Sequence, residues 1–179
     1  MSSPSTREHK KDSEKSYSFY LITVSTSRYE EYGNVSSPDD AEDGSGKMMY
    51  DLVISRGHNV SKYELVPDES SLIQGSVHRA IESDADIIVT SGGTGLASKD
   101  VSIESLVPLF EKDIPGFGEL FRYKSIEQIG SSVILTRAAA GLLRGKIIFC
   151  LPGSPSAVEL ALTEIILPEA GHLVKHARQ

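Results

Sequence analysis

The sequence predicts an α/β domain built on a mostly parallel sheet with one antiparallel strand, and three observations carry that expectation. Apolar runs rich in β-branched and aromatic residues (YSFYLITVS, VSKYELV, DIIVTS) alternate with amphipathic helical runs, the βαβ order that demands parallel strands joined by right-handed crossovers. Two later apolar runs, SSVILTRA and KIIFCL, are separated only by AAGLLRG, too short for a helical crossover, so this pair is expected to be antiparallel at the far side of the sheet. A chain of 179 residues closes around a single core without splitting.

Taken in order, residues 1–16 are rich in Ser, Lys, Glu and Pro and carry no large apolar residue after the first Met. They cannot offset the entropy of ordering, so a disordered tail is expected, with the domain spanning 17–179. YSFYLITVS is the first strand. TSRYEEYGNVSSPDDAED is polar and reads as a long loop, of the kind that carries function in compact domains. GSGKMMYDLVISRGH then places Met48, Met49, Leu52 and Val53 on one helical face, with Gly57 as the stop. VSKYELV is the second strand, and DESSLIQGSVHRAIESDA is a helix with Leu72, Ile73, Val77, Ala80 and Ile81 turned inward. DIIVTS is the third strand. Ser102 suits the cap of a short helix reaching Phe110, and Pro115 suits the start of another, PGFGELFRYKSIEQIG. SPSAVELALTEIILPEAGHLVKHA closes the chain as a helix interrupted near Pro168.

Composition narrows the function. No apolar run approaches the roughly 20 residues of a membrane helix, the N-terminus lacks a secretory signal's apolar stretch, and Cys150 has no second cysteine to pair with. A cytoplasmic protein with no membrane partner is expected. A net charge of −7 and a pI near 5.2 argue against nucleic acid, whose binding rests on neutralising phosphates with Lys and Arg. An acidic protein that binds a small anion must supply local donors or a bound cation.

Several segments can carry chemistry. VTSGGTGLASKD follows the carboxyl end of the third strand, where open α/β sheets bind ligands. It lacks the Walker ending and the dinucleotide glycine spacing, so it is either a turn or an anion cradle. In LPGSPSAVE, Gly153 allows close backbone approach while Ser154 and Pro155 suit a helix start, for a ligand or as an ordinary cap. Asp68 and Asp100 lie at the same sheet edge, where two carboxylates can hold Mg²⁺ with phosphate oxygens completing its shell, or can simply cap the helices at Glu69 and Ser102. Asp43, Ser45 and Gly46 open a helix in the same two-sided way, and Lys99 and Arg122 are the cations expected near an anion. Cys150, in an apolar strand, reads as a buried structural thiol. His172 and His176 have metal-ligand spacing but fall at the chain end, and no metal is assigned to them.

VTSGGTG with Asp100 five residues on, VPDE, IPGFGELFR, ILTRAAAG and LPGSP, in this order over about residues 17–176, resemble the MoaB/MogA family of molybdenum cofactor biosynthesis, which includes the gephyrin G domain, and within it the archaeal type of MoaB. The resemblance implies a three-layer α/β/α sandwich that assembles as a homotrimer or homohexamer and binds molybdopterin and ATP with Mg²⁺. It implies a molybdopterin adenylyltransferase, which moves AMP from ATP to the terminal phosphate of molybdopterin, releases pyrophosphate and leaves a product for a molybdate-insertion protein. A non-catalytic molybdopterin-binding paralogue is the alternative. Carried over by position, Asp68 and Asp100 are the metal and catalytic carboxylates. Gly92, Gly93, Thr94, Gly95 and Lys99 lie on the nucleotide side, Pro152, Gly153, Ser154 and Ser156 on the pterin side, and Asp43, Ser45 and Gly46 match the family's D-x-S-G. One position departs: many members carry aspartate after the serine that ends the first strand, and this chain has Thr26 after Ser25. The implied nucleophile is a phosphate monoester with a second pKa of about 6, already largely dianionic at neutral pH. It needs no general base, in keeping with a chain without any Ser-His-Asp or Cys-His pairing, and leaves the protein to position and neutralise charge.

Overall fold

The computed structural model describes residues 15–179, so most of the expected tail lies outside the described residues. Six strands form one sheet in the order β2-β1-β3-β6-β5-β4. β1 (Ser18–Val24), β2 (Asn59–Val66), β3 (Ile87–Ser91) and β6 (Lys146–Leu151) run parallel. β5 (Ala139–Leu143) is antiparallel to β6 and to the two-residue edge strand β4 (Lys112–Asp113), so it alone opposes the other five.

The period-two alternation of side chains along a strand divides the apolar residues between two faces. Phe19, Leu21, Ile87, Val89 and Phe149 pack with Met49 and Val53 of α2 (Gly44–Ser55), with Phe117 and Phe121 of α5 (Pro115–Ile129), and with Val158, Leu162 and Ile166 of the C-terminal helix. Tyr20, Ile22, Ile88, Ile148 and Cys150 pack on the other face with Ile73, Val77 and Ala80 of α3 (Ser70–Glu82) and Leu106 of α4 (Ser102–Leu106). The result is the three-layer α/β/α sandwich. Central strands buried on both faces explain why β1 and β3 are near-continuous apolar runs.

Three local expectations are corrected. The segment read as a loop after β1 contains α1 (Thr26–Tyr32), capped by Ser25 Oγ, which accepts from the Arg28 amide at 3.4 Å, and stopped by Gly33 at φ 67°. A 3-10 turn, Pro38–Ala41, follows. SSVILTRA is not a strand: Gly130–Leu135 forms a 3-10 turn with Ile134 82% and Leu135 56% exposed, and the strand lies in the stretch read as the connection. Gly141 has no side chain in that strand because Phe110 packs over it; a Cβ there would lie 2.1 Å from the Phe110 ring. Its hairpin is only Arg144–Gly145, both at positive φ (47° and 74°), as a type I′ turn requires. The interruption expected in the closing helix near Pro168 is present, as a widened turn. Pro155–Ala161 (α6) passes through a π turn, Leu162–Ile166, into α7 (Leu167–Ala177). The wider turn falls where a proline ring would press on the carbonyl four residues earlier. Leu72, expected inside, is 42% exposed, at the edge of the face that buries Ile73 and Val77.

One polar knot ties α3 to the sheet. The half-buried Glu64 carboxylate accepts from the Tyr20 hydroxyl (2.7 Å), Ser76 Oγ and Arg79 (2.8 and 3.1 Å), with Lys62 Nζ at 2.6 Å. Burial alone would raise its pKa, but the Arg79, Lys62, Ser76 and Tyr20 donors outweigh burial and hold it at about 2.

Two outcomes follow for stability. The folded pKa of Glu64 lies below its unfolded value of 4.5, so its contribution is present above pH 4.5 and fades as pH falls toward 2. Glu64→Gln is expected to lower the unfolding free energy at pH 7 by about 2 kcal/mol and to flatten the acid limb of the stability curve, measured by urea melts across pH; both cations are half-exposed, and solvent screens their share. Gly141→Ala is expected to cost about 1–3 kcal/mol by forcing the Phe110 ring aside, read as a lower melting temperature.

Candidate functional site

Because β1, β2, β3 and β6 are parallel neighbours, their carboxyl ends open on one edge of the sheet. The turns after all four meet there. The turn after β3 is squeezed hardest: Gly92 (φ 103°) passes so close to β1 that a Cβ would lie 2.2 Å from the Val24 carbonyl oxygen, and its amide donates to the Leu151 carbonyl at the end of β6 at 3.0 Å. Gly93 (φ 65°) leaves room for two polar atoms, since a Cβ there would meet Ser102 Oγ at 2.4 Å and Asp68 Oδ1 at 2.8 Å. Only glycine satisfies both the positive φ and the clearance. Ser102 folds back on the loop, its hydroxyl donating to the Gly92 carbonyl (2.8 Å) and its amide to that of Gly93 (2.9 Å).

Neither candidate carboxylate caps a helix. α3 begins after Glu69 and α4 after Val101, each without a side-chain cap bond. Asp68 Oδ2 instead accepts from the amide and the hydroxyl of Thr26, both at 3.0 Å, and the Asp68 amide donates to Thr26 Oγ1 at 3.0 Å. Asp100 Oδ2 accepts from the Ala97 amide at 3.3 Å and lies where a Cβ on Gly95 would come within 2.5 Å of it. The two carboxylates therefore border the same glycine loop, Asp68 at Gly93 and Asp100 at Gly95.

The D-x-S-G run is built in on the other side. Asp43 is 3% exposed and accepts from the Tyr63 hydroxyl at 2.7 Å rather than capping α2. A side chain on Gly46 would strike that carboxylate, with its Cβ 2.1 Å from Oδ2. Ser45 Oγ donates to the Gly153 carbonyl at 2.6 Å, a link between residues 108 apart that holds the start of α2 to the turn after β6. A Cβ on Gly153 would approach the Gly92 Cα to 3.2 Å, so this turn packs directly on the glycine loop. Ser154 Oγ caps α6 through the Ala157 amide at 3.3 Å and lies 3.4 Å from Ser156 Oγ; Ser91 Oγ donates to the Pro152 carbonyl at 3.4 Å. Between these parts lies a cleft of 210 Å³ lined by Ser25, Arg28, Asp43, Ser45, Gly92 and Gly153.

The cations are arranged differently from expectation. Lys99 stands exposed on the loop, but Arg122 is not brought there; it lines a separate cavity of 240 Å³ with Phe110, Asp113 and Glu119. Two arginines were not picked out from the sequence. Arg28 Nη1 donates to the Ala41 and Glu42 carbonyls (2.9 and 2.7 Å), so its charge is held at the cleft without an ion pair among the described residues. Its signal was the Ser25 cap, which makes the segment a helix and Arg28 part of its first turn. Arg137 Nε donates to the Thr94 carbonyl at 2.9 Å while its guanidinium forks onto Glu104 at 2.6 and 3.0 Å. That carboxylate, with Asp100 nearby, pushes the Arg137 pKa up, and Arg137 serves to brace the loop. Cys150 is fully buried, which pushes its thiol up to about 12 and leaves it inert. His172 and His176 meet on the exposed side of α7, Nε2 to Nε2 2.9 Å, and line neither the cleft nor the glycine loop.

Residues 20–172 match the family described as "Probable molybdopterin binding domain". The chain is 42% identical to a molybdenum cofactor biosynthesis protein B of Bacillus cereus, covering 94% of this chain and 95% of the relative. It is 42% identical to a molybdopterin adenylyltransferase of Pyrococcus furiosus, covering 96% and 98%. Among solved structures, the tungsten cofactor synthesizing protein MoaB from Pyrococcus furiosus superimposes with a TM-score of 0.80 at 41% identity, covering 92% of this chain and 99% of that one. A molybdenum cofactor biosynthesis protein B gives 0.83 at 40% identity, covering 92% and 98%. With the sandwich, the four converging turns and these likenesses together, the chain belongs to the MoaB/MogA family of molybdenum cofactor biosynthesis.

Proposed function

We propose that the chain is a Mg²⁺-dependent molybdopterin adenylyltransferase. The observation that carries this reading is the pair Asp68 and Asp100, both free of helix-capping duty and both set against the glycine loop. In the reaction a terminal phosphate oxygen of molybdopterin attacks the α-phosphorus of ATP, a new P–O bond forms, the bond to the bridging oxygen breaks, and pyrophosphate leaves with the electron pair. The donor set fits Mg²⁺, which takes one or two carboxylates together with substrate phosphates and retained waters. Asp68 and Asp100 would hold it, and the bound ion would supply the charge neutralisation that lets a dianion approach a triphosphate.

The protein's own residues do the positioning. The glycine loop, Gly92, Gly93, Thr94 and Gly95, with Lys99, takes the nucleotide side, and its tight packing against β1 and β6 fixes its backbone before ligand arrives. Pro152, Gly153, Ser154 and Ser156 take the pterin side, and Arg28 adds a cation at the cleft between them. The Pyrococcus furiosus relative named molybdopterin adenylyltransferase supports this reading at 42% identity. The cytoplasm is its setting, and hand-over of the product to a molybdate-insertion protein is its sequel.

Assembly as a homotrimer or homohexamer belongs to the same proposal. Leu120, Tyr123, Ile126 and Ile129 of α5 and Ile134 and Leu135 of the following turn are all exposed, apolar side chains of the kind an assembly would cover.

Purified protein supplied with molybdopterin, ATP and Mg²⁺ is expected to form adenylylated product and pyrophosphate, and EDTA is expected to stop it. Asp68→Asn and Asp100→Asn should each lower kcat by about 10²-fold or more with the melting temperature nearly unchanged. Molybdopterin binding without ATP binding, by calorimetry, would favour the non-catalytic paralogue instead. Light scattering should give three or six chains, and Ile126→Glu should shift the population toward monomer.

A further inference from the structure

The contact between Thr26 and Asp68 is more specific than docking α1 onto the sheet requires. Val24 of β1 pairs with Val66 of β2 at the end of the parallel ladder, so Thr26 and Asp68 each stand two residues past the same register point. Three hydrogen bonds then close between them: the Thr26 amide and hydroxyl both donate to Asp68 Oδ2, and the Asp68 amide donates back to the same hydroxyl. The hydroxyl proton is thereby committed to Oδ2, and the oxygen to the Asp68 amide. A carboxylate oxygen offers about two lone-pair sites, and both on Oδ2 are taken. Oδ1 is the oxygen turned to the glycine loop, where a Cβ on Gly93 would come within 2.8 Å of it.

Resting on the reading of Asp68 as a metal ligand, we infer that Thr26 is a positioning residue that makes Asp68 a one-oxygen ligand and biases the site toward Mg²⁺ over larger cations. Mg²⁺ demands near-octahedral geometry with single carboxylate oxygens, whereas Ca²⁺ accepts bidentate carboxylates in a flexible shell. A carboxylate with Oδ2 occupied by two donors cannot offer both oxygens. Freed of the hydroxyl, it can turn and offer either or both. Hydrogen-bond partners of metal ligands typically carry 10–100-fold in metal affinity or activity.

The test compares wild type, Thr26→Val, Thr26→Ala and Thr26→Ser. Thr26→Val and Thr26→Ala are expected to need about tenfold or more Mg²⁺ for half-maximal turnover, with kcat falling more than the KM for molybdopterin rises. Calorimetry of ATP binding with each metal, independent of turnover, should show the preference for Mg²⁺ over Ca²⁺ shrinking in both variants and returning in Thr26→Ser. Hydrogen exchange should show the Asp68 amide losing protection in Thr26→Val and keeping it in Thr26→Ser. If Thr26→Ala, or Thr26→Val where it folds, melts earlier yet keeps the wild-type metal preference, the contact only docks α1 and the inference falls while the adenylyltransferase reading stands. If wild type transfers no adenylyl group and binds ATP equally with and without metal, the functional reading itself falls and takes this inference with it.

Discussion

Close backbone packing at Gly92 is the constraint on which the rest of the site depends. The turn after β3 runs between the β1 carbonyl at Val24 and the turn after β6 at Gly153, leaving less than a methyl group of space on the Val24 side. Because β3 lies between β1 and β6 in the sheet, this is the point where the exits of three parallel strands are nearest one another. Two glycines at positive φ make that approach possible, and it sets everything around it. Gly93 admits the Asp68 carboxylate, Gly95 admits Asp100, Gly153 brings the α6 start against the loop, and Ser45 ties the α2 start to Gly153. The segments that meet there are far apart in sequence, and the sheet order brings them together.

Most of the architecture was legible because it is written in periods. Alternation of buried strands with helical stripes gives the parallel half directly, and the short connection before β6 gives the antiparallel pair. The misreadings share one physical cause: local polarity or apolarity was weighed without knowing what it would pack on. TSRYEEY has no fully buried residue, and its only apolar signal is Tyr29 and Tyr32, three apart and packed against the core, beside the Ser25 cap and Gly33. VIL in residues 133–135 looked like a strand but is largely exposed, whereas Ala139, Ala140 and Gly141 looked like a linker, and Gly141 is small because Phe110 lies over it. At the site, the glycines and carboxylates were visible as residue types, but whether an aspartate caps a helix or faces a loop depends on contacts forty residues away in the chain. Asp68 illustrates this, for its partner Thr26 lies in the segment read as structureless.

An acidic protein faces an evident difficulty in binding phosphates, and the structure shows how the local balance differs from the net charge of −7. The positive groups divide into those already neutralised and those that are not. Arg137 is spent on Glu104 and on bracing Thr94, and Arg79 on Glu64. Arg28 is held by carbonyls alone, and Lys99 stands exposed on the loop, so these two retain charge at the cleft and the loop. On the proposed reading, neutral donors and two positive side chains would not match a triphosphate and a dianion, and a divalent cation on the carboxylates would close that gap.

The two carboxylates are held by different means, and that difference bears on how the site works. Asp68 is fixed through β-sheet register: its partner lies 42 residues away on the neighbouring strand's exit, and moving it means disturbing the β1–β2 ladder. Asp100 is held by an amide three residues back in its own exposed loop. Whatever displaces that loop carries Asp100 with it and leaves Asp68 in place. On the proposed reading, Asp68, fixed by the sheet, and Asp100, carried on the exposed part of the loop, would hold Mg²⁺ together. With Asp68 already placed by the sheet, the proposed site would have only the Asp100 side left to order when ligand binds, which keeps the cost of assembling it low.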